Sequence, residues 1–257
     1  DALTVRYRDI GHTMLGNQCG LVPELARTLV SESGLEAPFV AVVVSDESES
    51  YRAEMNWVGE RLNQFGVRAV TVHPRQIAVE DEAIVARLDT HVEKVDLIYR
   101  FFELHDLANV PNVDLMFHAM QRRRIVMTPP PKFHLEEKLM MALFHHPELA
   151  RYWERELSRE ALPVLRQVIP ATWVLDPTPI PPFAAISPPF RSADRTVRRW
   201  SDLKDMTQKQ RRLVLKPSGF SELAWGARGV TIGHDVPTEE WNTAVDTALD
   251  GFADGPY

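Results

Sequence analysis

The chain has 257 residues, with 29 Lys+Arg against 36 Asp+Glu, 19 Pro, 12 Gly and one cysteine. A hydrophobic fraction of 44% and a charged fraction of 25% are those of a globular protein with ample core, which excludes disorder or a fibrous repeat for the whole chain. A net charge of −7 excludes bulk nucleic-acid binding, which needs a basic surface, and Cys19 alone permits neither an intramolecular disulfide nor a cysteine-rich zinc site.

In chain order, Leu3 to Tyr7 reads as a β-like run, and Val22 to Ser31 as a helix stopped by Gly34. Phe39-Val-Ala-Val-Val-Val44 is β-branched and unbroken, the pattern of a strand buried on both faces of a parallel sheet. Met55, Val58, Leu62 and Phe65 then recur at helical spacing, ended by Gly66. Val67 to Val72 predicts a second strand that His73-Pro74 breaks, Glu80 to Leu88 a helix, and Val95 to Tyr99 a third strand. A helix over Val113 to Arg122 and a strand at Ile125 to Met127 complete the series. Strands alternating with helices predict an α/β protein with an open, mostly parallel sheet.

After Pro129-Pro-Pro131 the pattern turns helical from His134 to His146 and from Pro147 to Arg159. Ala171 to Leu175 reads as a short strand, and the prolines between Asp176 and Pro189 forbid regular structure there. The basic run from Arg191 through Arg211 and Arg212 is interrupted by Asp194, Asp202 and Asp205, and reads as a solvated face with a helix from Trp200. Leu213 to Lys216 predicts a strand, Val230 to Ile232 another, and Thr238 to Leu249 a capped helix.

The predicted division is an N-terminal segment (1–36), an α/β domain (37–132) and an α+β region (133–257). No apolar run approaches the roughly 20 residues of a membrane span, and no basic leader precedes one. The expectation is a soluble, cytoplasmic protein without membrane or nucleic-acid partners, with both ends reading as cut.

Chemistry concentrates in Leu213-Val-Leu-Lys-Pro-Ser-Gly-Phe-Ser-Glu-Leu-Ala-Trp-Gly-Ala-Arg-Gly-Val230. Lys216 ends an apolar strand, and Gly219, Gly226 and Gly229 permit close approach of backbone N–H groups to an anion. The segment reads either as a phosphate cradle or as a hairpin whose glycines serve only the turn. It is neither G-x-x-x-x-G-K-[ST] nor G-x-G-x-x-G. Arg100 ends a predicted parallel strand, where ligands of open α/β sheets sit; the alternative is a loop salt bridge. His145-His146 is poor chelation geometry on a helix and reads as surface or cap chemistry.

Leu213 to Pro217 with its glycine-rich loop resembles the nucleotide-binding strand and flexible loop of ATP-grasp ligases. Leu135-Glu-Glu-Lys-Leu-Met-Met-Ala-Leu-Phe144 is similar to the helix carrying their second ATP-contacting lysine, which would be Lys138. Val72-His-Pro-Arg75 followed by Val95-Asp-Leu-Ile-Tyr-Arg100 resembles the circularly permuted ATP-grasp family, which includes glutathionylspermidine synthase-like proteins. The resemblance implies a pre-ATP-grasp-like sheet domain followed by an ATP-grasp-like subdomain. It further implies an ATP- and Mg2+-dependent ligase joining a small carboxylate to an amine through an acyl phosphate.

Lys138, Lys216, Ser218, Gly219, Gly226, Arg228 and Gly229 would hold ATP, Lys216 and Arg100 would serve catalysis, and Asn17 would hold magnesium. Leu15 stands where the family's Glu-x-Asn metal element has its Glu, and supplies no ligand. The alternative is therefore a non-catalytic nucleotide- or partner-binding module with a degraded site. A kinase-like phosphotransferase is a third reading.

Overall fold

The structure, a computed structural model, describes residues 2–12, 21–179, 186, 190–192, 195–219, 221, 223–224 and 228–253. The chain divides into two compact units, Asp1–Pro131 and Lys132–Tyr257.

The first unit opens with helices α1 (Ala2–Asp9) and α2 (Leu21–Ser33). Leu3 to Tyr7 is thus helical and not a β-like run, since Arg6 and Arg8 interrupt the apolar residues and no strand pairs with them among the described residues. Strand β1 (Phe39–Val44) is buried at every position. Helix α3 (Arg52–Asn63) leads into β2 (Arg68–Val72), which pairs parallel with β1 from Phe39↔Arg68 to Val43↔Val72. Gly66 sits between them at φ 81°, a left-handed conformation that glycine adopts without the Cβ penalty.

Between β2 and the next parallel strand lies an antiparallel three-stranded sheet of β3 (Ile77–Glu80), β4 (Ala83–Arg87) and β5 (Val92–Lys94). The helix expected over Glu80 to Leu88 is therefore replaced by a hairpin. Its two-residue turn, Asp81-Glu82, has positive φ at both positions, the geometry that matches strand twist. Asp-Glu carries none of the Asn-Gly signature by which such a turn is recognised. Burial of Ile84, Val85 and Ala86 outweighs the helical pattern.

Strand β6 (Leu97–Phe101) then pairs with the other side of β1, from Val40↔Leu97 to Val44↔Phe101. Helix α4 (Val113–Gln121) leads to β7 (Val126–Thr128), so the parallel sheet runs β2-β1-β6-β7. Alternation along β1 serves two cores. Val40, Val42 and Val44 pack with α2 and α3 residues including Leu29, Met55 and Leu62. Phe39, Ala41 and Val43 pack with Ile77, Ile84 and Met116, from β3, β4 and α4. A strand covered on both faces exposes no side chain to water, which is why its sequence is an unbroken apolar run.

The second unit begins with four short helices, α5 (Phe133–Glu136), α6 (Leu139–His145), α7 (Ala150–Glu156) and α8 (Ala161–Val168). The two longer helices expected there are broken at Glu137 and Leu157, whose backbones are extended. His146 Nδ1 accepts the Glu148 N–H and caps the short turn Pro147–Leu149. Ala171 to Leu175 joins no ladder. Most of the proline segment lies outside the described residues.

Two hairpins follow: β8 (Phe190–Ser192) with β9 (Arg195–Val197), and β10 (Val214–Leu215) with β11 (Thr231–Ile232). Trp200–Asp205 is a 3-10 turn in place of a longer helix. Helix α9 (Thr238–Asp250) starts after Pro237 without a side-chain cap, so the expected Thr238 cap is absent and Thr238 is the first helical residue.

Trp241 of α9 is fully buried, donates Nε1–H to the Leu203 carbonyl at 3.0 Å, and stands with Val245 and Ala248 in the core around Leu215. Arg211 leaves the solvated face predicted for it. It is 1% exposed, with its guanidinium 5.9 Å from the Trp241 ring and bonded to the Pro237 carbonyl. A planar, weakly hydrated guanidinium stacks where an ammonium would stay in water. Among the described residues no helix is long and apolar enough to cross a membrane.

The α3 face gives a direct test. Leu62 is fully buried while Phe65 is 49% exposed, although both fall on the same face by sequence spacing. Leu62→Ala is expected to cost about 2–5 kcal/mol, and Phe65→Ala less than about 0.5 kcal/mol. Hydrogen exchange of the β1 amides reads both.

Candidate functional site

In the first unit, the strand order reverses direction about β1, and the C-terminal ends of β1 and β6 flank that point. Arg100 lies there. It is 6% exposed, with Nε donating to the Pro129 carbonyl at 3.2 Å and Nη1 to the Phe102 carbonyl. These bonds tie the end of β6 to the chain leaving β7. The guanidinium also lies 5.6 Å from the Phe102 ring. Nearby, His73 Nε2 meets Asp46 Oδ1 at 3.0 Å, and Arg52 donates to the Val44 carbonyl. Burial pushes the Tyr99 phenol above its ordinary value.

The second unit contains a cavity of about 360 Å3, within the range of small-molecule sites. Its walls are mostly apolar: Met141 and Ala142 from α6, Trp173 to Leu175 from the extended segment, and Phe190, Leu213 and Leu215 from the hairpins. Trp173 and Phe190 meet edge-on at 4.8 Å between ring centres. Lys138 and Lys216, remote in sequence, both line this cavity, as do Arg212 and Ser218.

Local structure explains how the lysines arrive there. Residues alternate along the strand, with Leu215 buried and Lys216 exposed beyond it, and both line the cavity. Lys138 precedes α6 and is half-buried. Among the described residues, neither ammonium has a hydrogen-bond or ion-pair partner.

Glu137, which sequence reasoning passed over, links the segment of Lys138 to the residues that follow Lys216. Its Oε2 accepts Ser218 Oγ–H at 2.6 Å and Gly219 N–H at 2.8 Å, and its Oε1 accepts Leu139 N–H at 3.2 Å. The only available signal was its place beside Lys138. Ser218 is 7% exposed. A Cβ on Gly219 would lie 3.2 Å from the Glu136 carbonyl oxygen and 3.3 Å from Glu137 Oε2, so glycine serves close approach here. Gly229 lies in the returning turn with Arg228, its N–H donating to the Leu223 carbonyl. A Cβ there would sit 2.7 Å from Pro217 Cγ.

The two lysines, Ser218, Gly219, Arg228 and Gly229 thus all belong to the second unit, and Arg100 to the first. Asn17, Leu15 and Gly226 lie outside the described residues. The described residues do not fit a magnesium site. The cavity's single described carboxylate, Glu137, has both oxygens engaged, whereas magnesium takes free carboxylate oxygens. Among the described residues no group of three or more His, Cys, Asp or Glu is placed to hold a metal. Asp176, at the end of the extended segment, has its carboxyl held below the usual range by the Thr178 side chain and then the Thr178 N–H.

No protein-family model matches this chain, and neither a curated protein nor a solved structure matches it.

Gly229→Ala drives a methyl into Pro217, the residue after Lys216. The expected cost is about 1–3 kcal/mol, the usual range for overpacking, read as a lowered denaturation midpoint of the second unit.

Proposed function

We propose that the second unit binds ATP in the cavity lined by Lys138 and Lys216, and that the chain is an ATP-dependent carboxylate–amine ligase. The observation that carries this reading is that two lysines, whose ammonium groups have no partners among the described residues, line one largely apolar cavity. Apolar and aromatic walls suit a planar base, and the paired cations suit a polyphosphate.

In the reaction, the γ-phosphoryl group leaves ADP and bonds to a substrate carboxylate oxygen. The nitrogen of the amine then bonds to the acyl carbon, the carbon–oxygen bond to phosphate breaks, and the nitrogen loses a proton. Lys138 and Lys216 offset negative charge as it shifts between phosphates, which is positioning and electrostatics rather than covalent catalysis. The apolar walls of the cavity limit the water that reaches an acyl phosphate.

A second reading is a nucleotide-binding module without turnover. It is favoured by Glu137, the one described carboxylate in the cavity, being committed to internal hydrogen bonds.

Calorimetric titration of ATP, with and without magnesium, tests both. Saturable binding is expected, weakened about 10–100-fold in Lys216→Ala, as for loss of a charged hydrogen bond. Absence of binding to the folded wild type overturns both readings. Binding without phosphate release across a panel of acids and amines leaves the module.

A further inference from the structure

The loop after Lys216 already holds an anion, supplied by the chain itself. Ser218 Oγ–H and Gly219 N–H converge on a single oxygen, Glu137 Oε2, at 2.6 and 2.8 Å. A hydroxyl and an adjacent backbone N–H aimed at one point take any anionic oxygen, carboxylate or phosphate. The carboxylate rests on this pair although Lys138 and Lys216 line the same cavity and their ammonium groups have no partners among the described residues. Its other oxygen is fixed by Leu139 N–H at 3.2 Å. The close packing of Gly219 against Glu136 and Glu137 shows a loop fitted to this carboxylate.

We propose that Glu137 is an internal competitor for the anion position of this site. Its carboxylate occupies the Ser218 and Gly219 donors until a phosphate chain, seated between the two lysines, displaces it. This rests on the reading of the cavity as a polyphosphate site.

Two anions cannot share the same pair of donors. With Glu137 in place, only the fraction of molecules whose carboxylate has swung away offers the complete site, and apparent affinity falls by that fraction. Glu137 adjoins Lys138, and Ser218 closely follows Lys216, so the same contact keeps the two lysine-bearing segments together before a ligand arrives. Displacement releases that contact at the moment a phosphate reaches it.

Inorganic tripolyphosphate is the probe, titrated calorimetrically into the full chain, Glu137→Ala, Glu137→Gln and the double variant Glu137→Ala/Lys216→Ala. Tripolyphosphate is expected to bind Glu137→Ala about tenfold tighter than wild type, corresponding to an open fraction of about a tenth. Glu137→Gln, which keeps the shape and loses the charge, is expected to fall between them, and the double variant to lose the gain. Glu137→Gln decides the matter if Glu137→Ala does not fold.

Equal or weaker binding in the Glu137 variants, or no binding to any of the proteins, overturns the proposal, because Glu137 then only braces the loop. Parallel ATP titrations separate the two ideas. Tripolyphosphate bound tighter by Glu137→Ala with ATP bound by none removes the nucleotide reading and leaves the competitor. ATP bound equally by wild type and Glu137→Ala does the reverse.

Discussion

The join between the two lysine-bearing segments of the second unit turns on one carboxylate. Glu137 gathers the Ser218 hydroxyl, the Gly219 N–H and the Leu139 N–H, and thereby joins the segment leaving β10 to the segment entering α6. Ser218 is nearly inaccessible to water, so its hydroxyl needs a partner within the protein; leaving it unsatisfied would cost more than the bond itself contributes. The short helices beside it bury almost nothing. Among the described residues of α5 to α8, only Leu162 counts as buried. Around these helices, specific polar contacts therefore matter more than they do in the apolar core about Trp241 of the same unit.

The first unit is held in a different way. β1 contributes alternate residues to two separate cores and hydrogen bonds on both edges to parallel neighbours. In the order β2-β1-β6-β7 it is thereby covered on both faces and paired on both edges. One consequence is a carboxyl edge where β1 and β6 end side by side. Arg100 stands there braced by two carbonyls, which fixes the direction of its guanidinium whatever else it contacts.

Where sequence reading succeeded, the signal was long and one-sided. The apolar run of β1, the helical spacing of Met55 and Leu62, and the glycine stops at Gly34 and Gly66 each reported a local requirement strong enough to survive folding. Where it failed, local signals were weak or reversed by packing. Leu3 to Tyr7 had too few apolar residues to choose between strand and helix. Asp81-Glu82 formed a hairpin turn without the usual residues, because burial of the flanking strands carried the energetic weight. Arg211 looked like one of several solvated cations, and Trp241, distant in sequence, drew it inside.

The sequence by itself determined the alternation of strands and helices in the first unit, the burial of β1 on both faces, and the presence of a lysine at the end of an apolar strand beside glycines. Those properties follow from side-chain polarity and backbone freedom, which act over a few residues. Only the tertiary structure decided that Lys138 and Lys216 line one cavity, that Gly219 is packed for close approach, and that Glu137 occupies the donors of the loop. Each of these depends on segments far apart in the chain. No periodicity or spacing encodes such a meeting, because it is set by how the apolar surfaces of α6, the extended segment and β10 close against one another.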